Sequence, residues 1–146
     1  MNVTSKTAVS TDFFKRPIQY PGSQALVVPS GRALLFTQGM TARDAKGDRV
    51  APHDAAGQAA QIFQQIGALV EEAGGTIADV IYMTVFVTNM NDVPAIQAER
   101  DRIWDPLDAP PVSSTIEIQR LVTDDAKIEV HAICSVPDRP QTIRSS

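Results

Sequence analysis

The sequence predicts an α+β fold in which two helices pack on one face of a mixed β-sheet. Three observations predict it. The apolar spacing alternates between a period of two and one of three to four, giving the order β-β-α-β-α-β-β with two strand–helix–strand units. One run, VIYMTVFV at Val80–Val87, is apolar on both sides and rich in β-branched and aromatic residues, as suits a strand covered on both faces. The chain has 146 residues, which suits one domain able to bury a core without disulfides or metal.

Residues 1–20 read as an irregular arm, polar at first and then carrying Phe13, Phe14 and Pro17. Residues 25–28 (ALVV) and 33–38 (ALLFTQ) read as strands, and Pro29-Ser30-Gly31-Arg32 between them suits a hairpin. The second strand leaves through Gly39, where backbone can approach a ligand closely. Residues 44–54 are polar and aperiodic, hence a surface loop. From 55 to 73 the pattern turns helical, with Ala59, Ile62, Phe63, Ile66, Leu69, Val70 and Ala73 on one stripe. Asp54 suits its N-cap and Gly74-Gly75 its stop. A second helix follows, with Pro94 in its first turn and Ile96, Arg100, Ile103 and Trp104 at helical spacing. Three prolines in 105–111 force a loop. Two strand-like runs, 114–121 and 127–135, are joined by a short polar turn, and residues 137–146 form a tail. The strand at Val80–Val87 needs cover on its second face that one chain cannot supply, which points to self-association.

Composition narrows the function classes. The formal net charge is −4, and no basic run offers an electrostatic footprint for nucleic acid. The one cysteine, Cys134, lies in an apolar strand pattern and reads as a buried, inert thiol in a reducing compartment. His53 and His131 belong to no Cys/His/Asp cluster, so no metal or other cofactor is expected. The N-terminus lacks the apolar core of a signal peptide, and no run approaches the ~20 apolar residues of a membrane span. The expectation is a cytoplasmic protein without nucleic-acid or membrane partners.

Six pieces stand in register with a known family. They are Ser23-Gln24-Ala25, Thr37-Gln38-Gly39, Glu72-Ala73-Gly74, Thr84-Val85-Phe86-Val87, Asn89-Met90-Asn91-Asp92 and the block from 114 to 133. Together they resemble the Rid (YjgF/YER057c/UK114) family, whose best-known members hydrolyse reactive enamines and imines. The resemblance covers about 21–136. It implies a chorismate-mutase-like α+β fold, a homotrimer, and ligand clefts between neighbouring subunits.

Site residues follow from the resemblance one at a time. The glycine whose backbone lines the cleft matches Gly39, the central-strand phenylalanine matches Phe86, and the acid that activates water matches Glu129, aligned by its Ile-Glu-Val context. The arginine that clamps a substrate carboxylate falls on Ser113, and a frequent cysteine falls on Thr115. A tyrosine position falls on Gly22, with Tyr20 nearby, and an asparagine on the second helix falls on Gln97. Serine replaces neither the charge nor the bidentate geometry of a guanidinium, and losing such a contact costs roughly 2–5 kcal/mol of binding. Arg32, Arg43, Arg100 and Arg120 are the candidate substitutes.

Strand alternation puts Ser113, Thr115, Glu117 and Gln119 on one side and Ile116 and Ile118 on the other, so that two hydroxyls can face a cleft together. In the last strand Glu129, His131 and Ile133 share a side. A carboxylate in so apolar a strand tends to a raised pKa unless hydrogen-bonded, which suits a general base or acid; its plain alternative is an interface ion pair. His131 reads as an interface histidine, since i,i+2 spacing does not ensure a bond to Glu129. Ser113 to Thr115 with His131 lack a nucleophile elbow, so a hydrolase triad is not expected. The leading expectation is a hydrolase of enamines or imines with specificity altered at Ser113. The alternative is a non-catalytic trimer of the same fold that binds a metabolite or acts as a scaffold, and an RNA-cleaving activity fits the acidic composition least.

Overall fold

The structure is a computed structural model that describes residues 4–14, 22–107 and 109–139. Pro17, Tyr20 and most of the C-terminal tail lie outside these residues. Six strands and two helices are described: β1 (Thr7–Val9), β2 (Ala25–Val27), β3 (Arg32–Phe36), α1 (Ala55–Glu72), β4 (Val80–Val87), α2 (Val93–Trp104), β5 (Val112–Glu117) and β6 (Ile128–Pro137). The main sheet has the order β3-β6-β4-β5; β5 runs parallel to β4 and the other pairs are antiparallel. This is the expected mixed sheet with two helices packed on it.

Helix α1 forms where its stripe of apolar residues meets good end signals. The Asp54 carboxylate accepts the Gly57 amide at 3.1 Å, and Gly74 at φ 87° ends the helix in the left-handed region that suits glycine. Ile62, Phe63, Ile66 and Val70 then sink into the core with Met83, Val85 and Val87 of β4 and Val130, Ala132 and Cys134 of β6. Phe63 meets Trp104 of α2 edge to face at 5.1 Å, and the Trp104 indole donates to the Ile77 carbonyl at 3.2 Å.

Three local expectations are corrected. Residues 25–28 and 33–38 do not form a hairpin: β2 pairs with β1, and β3 pairs with β6. The ten-residue apolar β6 offers β3 a longer partner than the three-residue β2 can, so a non-local pairing wins over the nearby turn. For the same reason the first twenty residues are not wholly irregular, since Thr7–Val9 supplies the strand that β2 lacks. The last two strands are not adjacent either. β5 stops at Glu117, β4 lies between it and β6, and residues 118–127 cross over the end of β4.

Lys6 fastens the β1 segment to the main body. Its ammonium is buried and donates to the Val80 carbonyl at 2.6 Å. Burial pushes the Lys6 pKa down to about 8, against the opposing pull of Asp79, while burial pushes the Cys134 thiol up to about 12. From about pH 8 up to the ordinary lysine value of 10.5, the unfolded chain holds more protons at Lys6 than the folded one, so stability rises with pH. Above about pH 9 the unfolded thiol ionises and the folded one does not, which acts in the opposite direction. The unfolding free energy from urea titrations is therefore expected to rise by up to about 1 kcal/mol between pH 8 and 9 and then to level off. In Lys6→Met the rise disappears; an unchanged rise would show that Lys6 is not its source.

Among the described residues no helix is long and apolar enough to cross a membrane. The sheet face turned away from the helices is open and carries three exposed apolar side chains, Leu34, Phe36 and Ile116, at 52%, 67% and 44% exposure.

Candidate active site

The open face of the sheet brings four of the singled-out residues together. The pairing of β3 with β6 continues past Phe36, because the Thr37 amide donates to the Ala132 carbonyl at 2.9 Å and the Ala132 amide to Thr37 Oγ1 at 3.0 Å. Met40 and Val130 then exchange backbone bonds of 2.9 and 3.1 Å. Gln38 and Gly39 thus stand opposite His131 alone, a β-bulge that pushes the glycine backbone over β6. A Cβ on Gly39 would collide with the Glu129 carboxylate and lie 2.8 Å from His131 Nε2. Only glycine leaves that space to the acid.

Glu129 Oε1 lies 3.0 Å from His131 Nε2, so the ring, protonated at that nitrogen, donates to the carboxylate. The carboxylate is the more enclosed partner, with 20% of its side chain exposed against 49% for the histidine. Phe86 stands opposite Glu129 on β4 and packs against the His131 ring at 5.2 Å. The Glu129–His131 pair, which strand spacing alone left open, is therefore present.

Glu129 also lines an open cleft of about 540 Å³ with Arg120, Leu121, Val122 and Asp124. These four come from the crossing segment after β5, which is held at both ends. Its start continues the ladder, with the Ile118 amide donating to the Val87 carbonyl at 2.8 Å. At its end the buried Gln58 donates to the Asp125 carbonyl at 2.8 Å and accepts the Lys127 amide at 2.8 Å. Between these anchors the chain arches beside Glu129.

The remaining expected residues lie elsewhere in the protomer. Ser113 stands opposite the core residue Met83, and Thr115 opposite Val85, so both point to the helix side of the sheet, away from Glu129. Arg100 of α2 donates to the Ser113 hydroxyl and, at 2.8 Å, to the Pro111 carbonyl. Gln97 donates to Asp101 one helical turn on, at 2.6 Å. The predicted alternation along β5 holds, but Ile116 takes the open face. Within one protomer the two expected hydroxyls therefore do not reach the acid.

Comparison with known proteins places this architecture. The family described as Endoribonuclease L-PSP matches residues 19–136. The chain belongs to this family, also called the Rid (YjgF) family. A 2-iminobutanoate/2-iminopropanoate deaminase of Escherichia coli K12 is 35% identical over 101 residues, 68% of this chain and 77% of that protein. The Rid-family protein YyfB of Yersinia pestis shares the fold at a TM-score of 0.82 and 24% identity, over 91% of this chain and 100% of that one. E. coli TdcF, solved with bound serine, superposes at a TM-score of 0.63 with 30% identity, over 88% of this chain and 98% of that one. Two features of this Rid-family chain stand out beside the acid: the histidine that holds it and the arched segment that walls its cleft. Neither has a sequence motif of its own. Even spacing on one strand face was the available signal for His131, and Arg120 was one of four arginines without a known location.

Proposed function

We propose that the protein hydrolyses the C=N bond of a small, reactive imine or enamine metabolite. Glu129, held by His131, takes a proton from water as its oxygen bonds to the imine carbon. Glu129 returns that proton to the nitrogen to give a carbinolamine, then relays the hydroxyl proton to the nitrogen as the C–N bond breaks and the C=O bond forms, releasing ammonia and a carbonyl product. No cofactor enters this sequence, because water and a proton carrier balance it. The observation that carries the reading is the bulge that seats a bare glycine backbone over an acid at the mouth of an open cleft. The deaminase relative at 35% identity supports it.

The same reading makes the site intersubunit. Ser113 and Thr115, with Gln97 on the neighbouring helix, lie across the sheet from Glu129, so all of them can serve one site only if a second copy brings its β5 edge to the first copy's open face. The exposed Leu34, Phe36 and Ile116 supply an apolar surface for that contact, and a closed ring of three copies leaves no such face uncovered. A cytoplasmic location and a small-molecule substrate fit the net charge of −4, which disfavours polyanionic RNA.

The test measures ammonia release from freshly generated 2-iminobutanoate and 2-iminopropanoate, with sedimentation run on the same sample. Accelerated release by a species of three times the 15.8 kDa chain mass is the expected result. A monomer at assay concentration would remove the shared site. No acceleration by the wild type or by Ser113→Arg, with ligand affinity unchanged in Glu129→Ala, would favour a non-catalytic binding trimer instead.

A further inference from the structure

The arginines divide by what they touch. Arg32 is held by Asp79 at 3.3 Å and by Ser135, Arg49 by Asp125 at 2.7 Å, and Arg102 by Glu99 at 2.8 Å. Arg100 is buried on the helix side against Ser113 and Pro111. Arg43 borders a small recess with Thr41, Val50 and Gln58, apart from Glu129. Arg120 alone among them lines the cleft of about 540 Å³ that contains Glu129. Among the described residues it forms no ion pair within 4.0 Å, although Asp124 and Glu129 line the same space.

We propose that Arg120 is the carboxylate-binding residue of this cleft. A guanidinium offers five N–H donors in a planar fork that fits a carboxylate two bonds at a time. It also eases approach: an anionic substrate meets the carboxylates of Asp124 and Glu129 in this cleft, and the one cation among them reduces that repulsion. The position suits the chemistry, because in a 2-imino acid the carboxylate is bonded directly to the imine carbon. A clamp on the wall of the Glu129 cleft presents that carbon to the water that Glu129 activates. The arch carrying Arg120 is fastened at Ile118 and at Asp125 and Lys127, so the guanidinium is delivered from an anchored segment. The positive charge that the family places where this chain has Ser113 is thus supplied seven residues further along the chain, beside the cleft that holds the acid.

This inference rests on the hydrolase reading for its substrate but is tested separately from it. Calorimetric titration with 2-oxobutanoate, the carbonyl product of such a substrate, reads the clamp without any turnover. Arg120→Met keeps the apolar stem and removes the charge, Arg120→Lys keeps the charge and loses the fork, and Arg102→Ala removes an equal charge at an exposed site paired to Glu99. The expected result is a roughly 30- to 5000-fold weaker Kd in Arg120→Met (the span for losing a charge-assisted pair), a smaller loss in Arg120→Lys, and no change in Arg102→Ala. Where turnover is measurable, KM for 2-iminobutanoate rises in Arg120→Met and stays at the wild-type value in Arg102→Ala. Equal 2-oxobutanoate affinity in wild type and Arg120→Met overturns the proposal, as does no binding by the wild type. Binding that depends on Arg120 without any ammonia release upholds the clamp and overturns the hydrolase reading alone.

Discussion

Glu129→Gln is expected to lower kcat for ammonia release by roughly two to four orders of magnitude, the usual contribution of a positioned acid or base. The amide keeps the shape of the side chain and can still meet His131, so the melting temperature and the 2-oxobutanoate affinity should stay near those of the wild type. That combination separates loss of proton transfer from loss of structure. His131→Asn should act more weakly, because the histidine holds the acid and need not touch the substrate. A Glu129→Gln enzyme retaining more than a tenth of the wild-type rate would assign proton transfer to another group.

Gly39→Ala is the second large effect. The added methyl meets the Glu129 carboxylate and His131 Nε2, and backbone fixed by the Thr37–Ala132 and Met40–Val130 bonds cannot retreat easily. The carboxylate must swing out instead, breaking its 3.0 Å contact with the histidine. A displacement of about 1 Å at a reacting group costs on the order of 10²-fold in rate, so kcat/KM should fall by at least that factor. Stability should change far less, since both displaced side chains are partly open to solvent. Near wild-type turnover in Gly39→Ala would mean that the acid works from a position other than the one seen here.

Much of the fold is legible in the sequence because its long elements carry strong periodic signals. The stripe from Ala59 to Val70 and the all-apolar run of β4 each have one sensible reading, and Asp54 and Gly74 mark the ends of α1 as their chemistry requires. Pairing is less legible. β2 is three residues long, and nothing local reveals that its partner is Thr7–Val9 rather than the strand just beyond a good turn. The order of β5, β4 and β6 is likewise decided by how far ten linking residues can reach, which no pattern of residue types encodes. Neighbouring strands are about 4.8 Å apart, so passing over one strand is well within that reach. At the candidate site, Gly39, Phe86 and Glu129 could be singled out because motif context and strand alternation point to them. The facing of Ser113 could not, because alternation fixes which residues share a side but not which side carries the helices.

The arch from Ile118 to Lys127 has a consequence for how such a scaffold diversifies. Its footholds lie at its two ends: a main-chain bond from Ile118 to β4, the amide of the buried Gln58 on α1 with Asp125 and Lys127, and further bonds of Asp125 to His53 and Arg49 and of Lys127 to Thr88. Lengthening, shortening or recharging residues 119–122 would alter which metabolites the protein accepts while the buried Asp125 and Ala126 stayed in place. Substrate preference and folding stability would then be free to evolve on separate sets of residues.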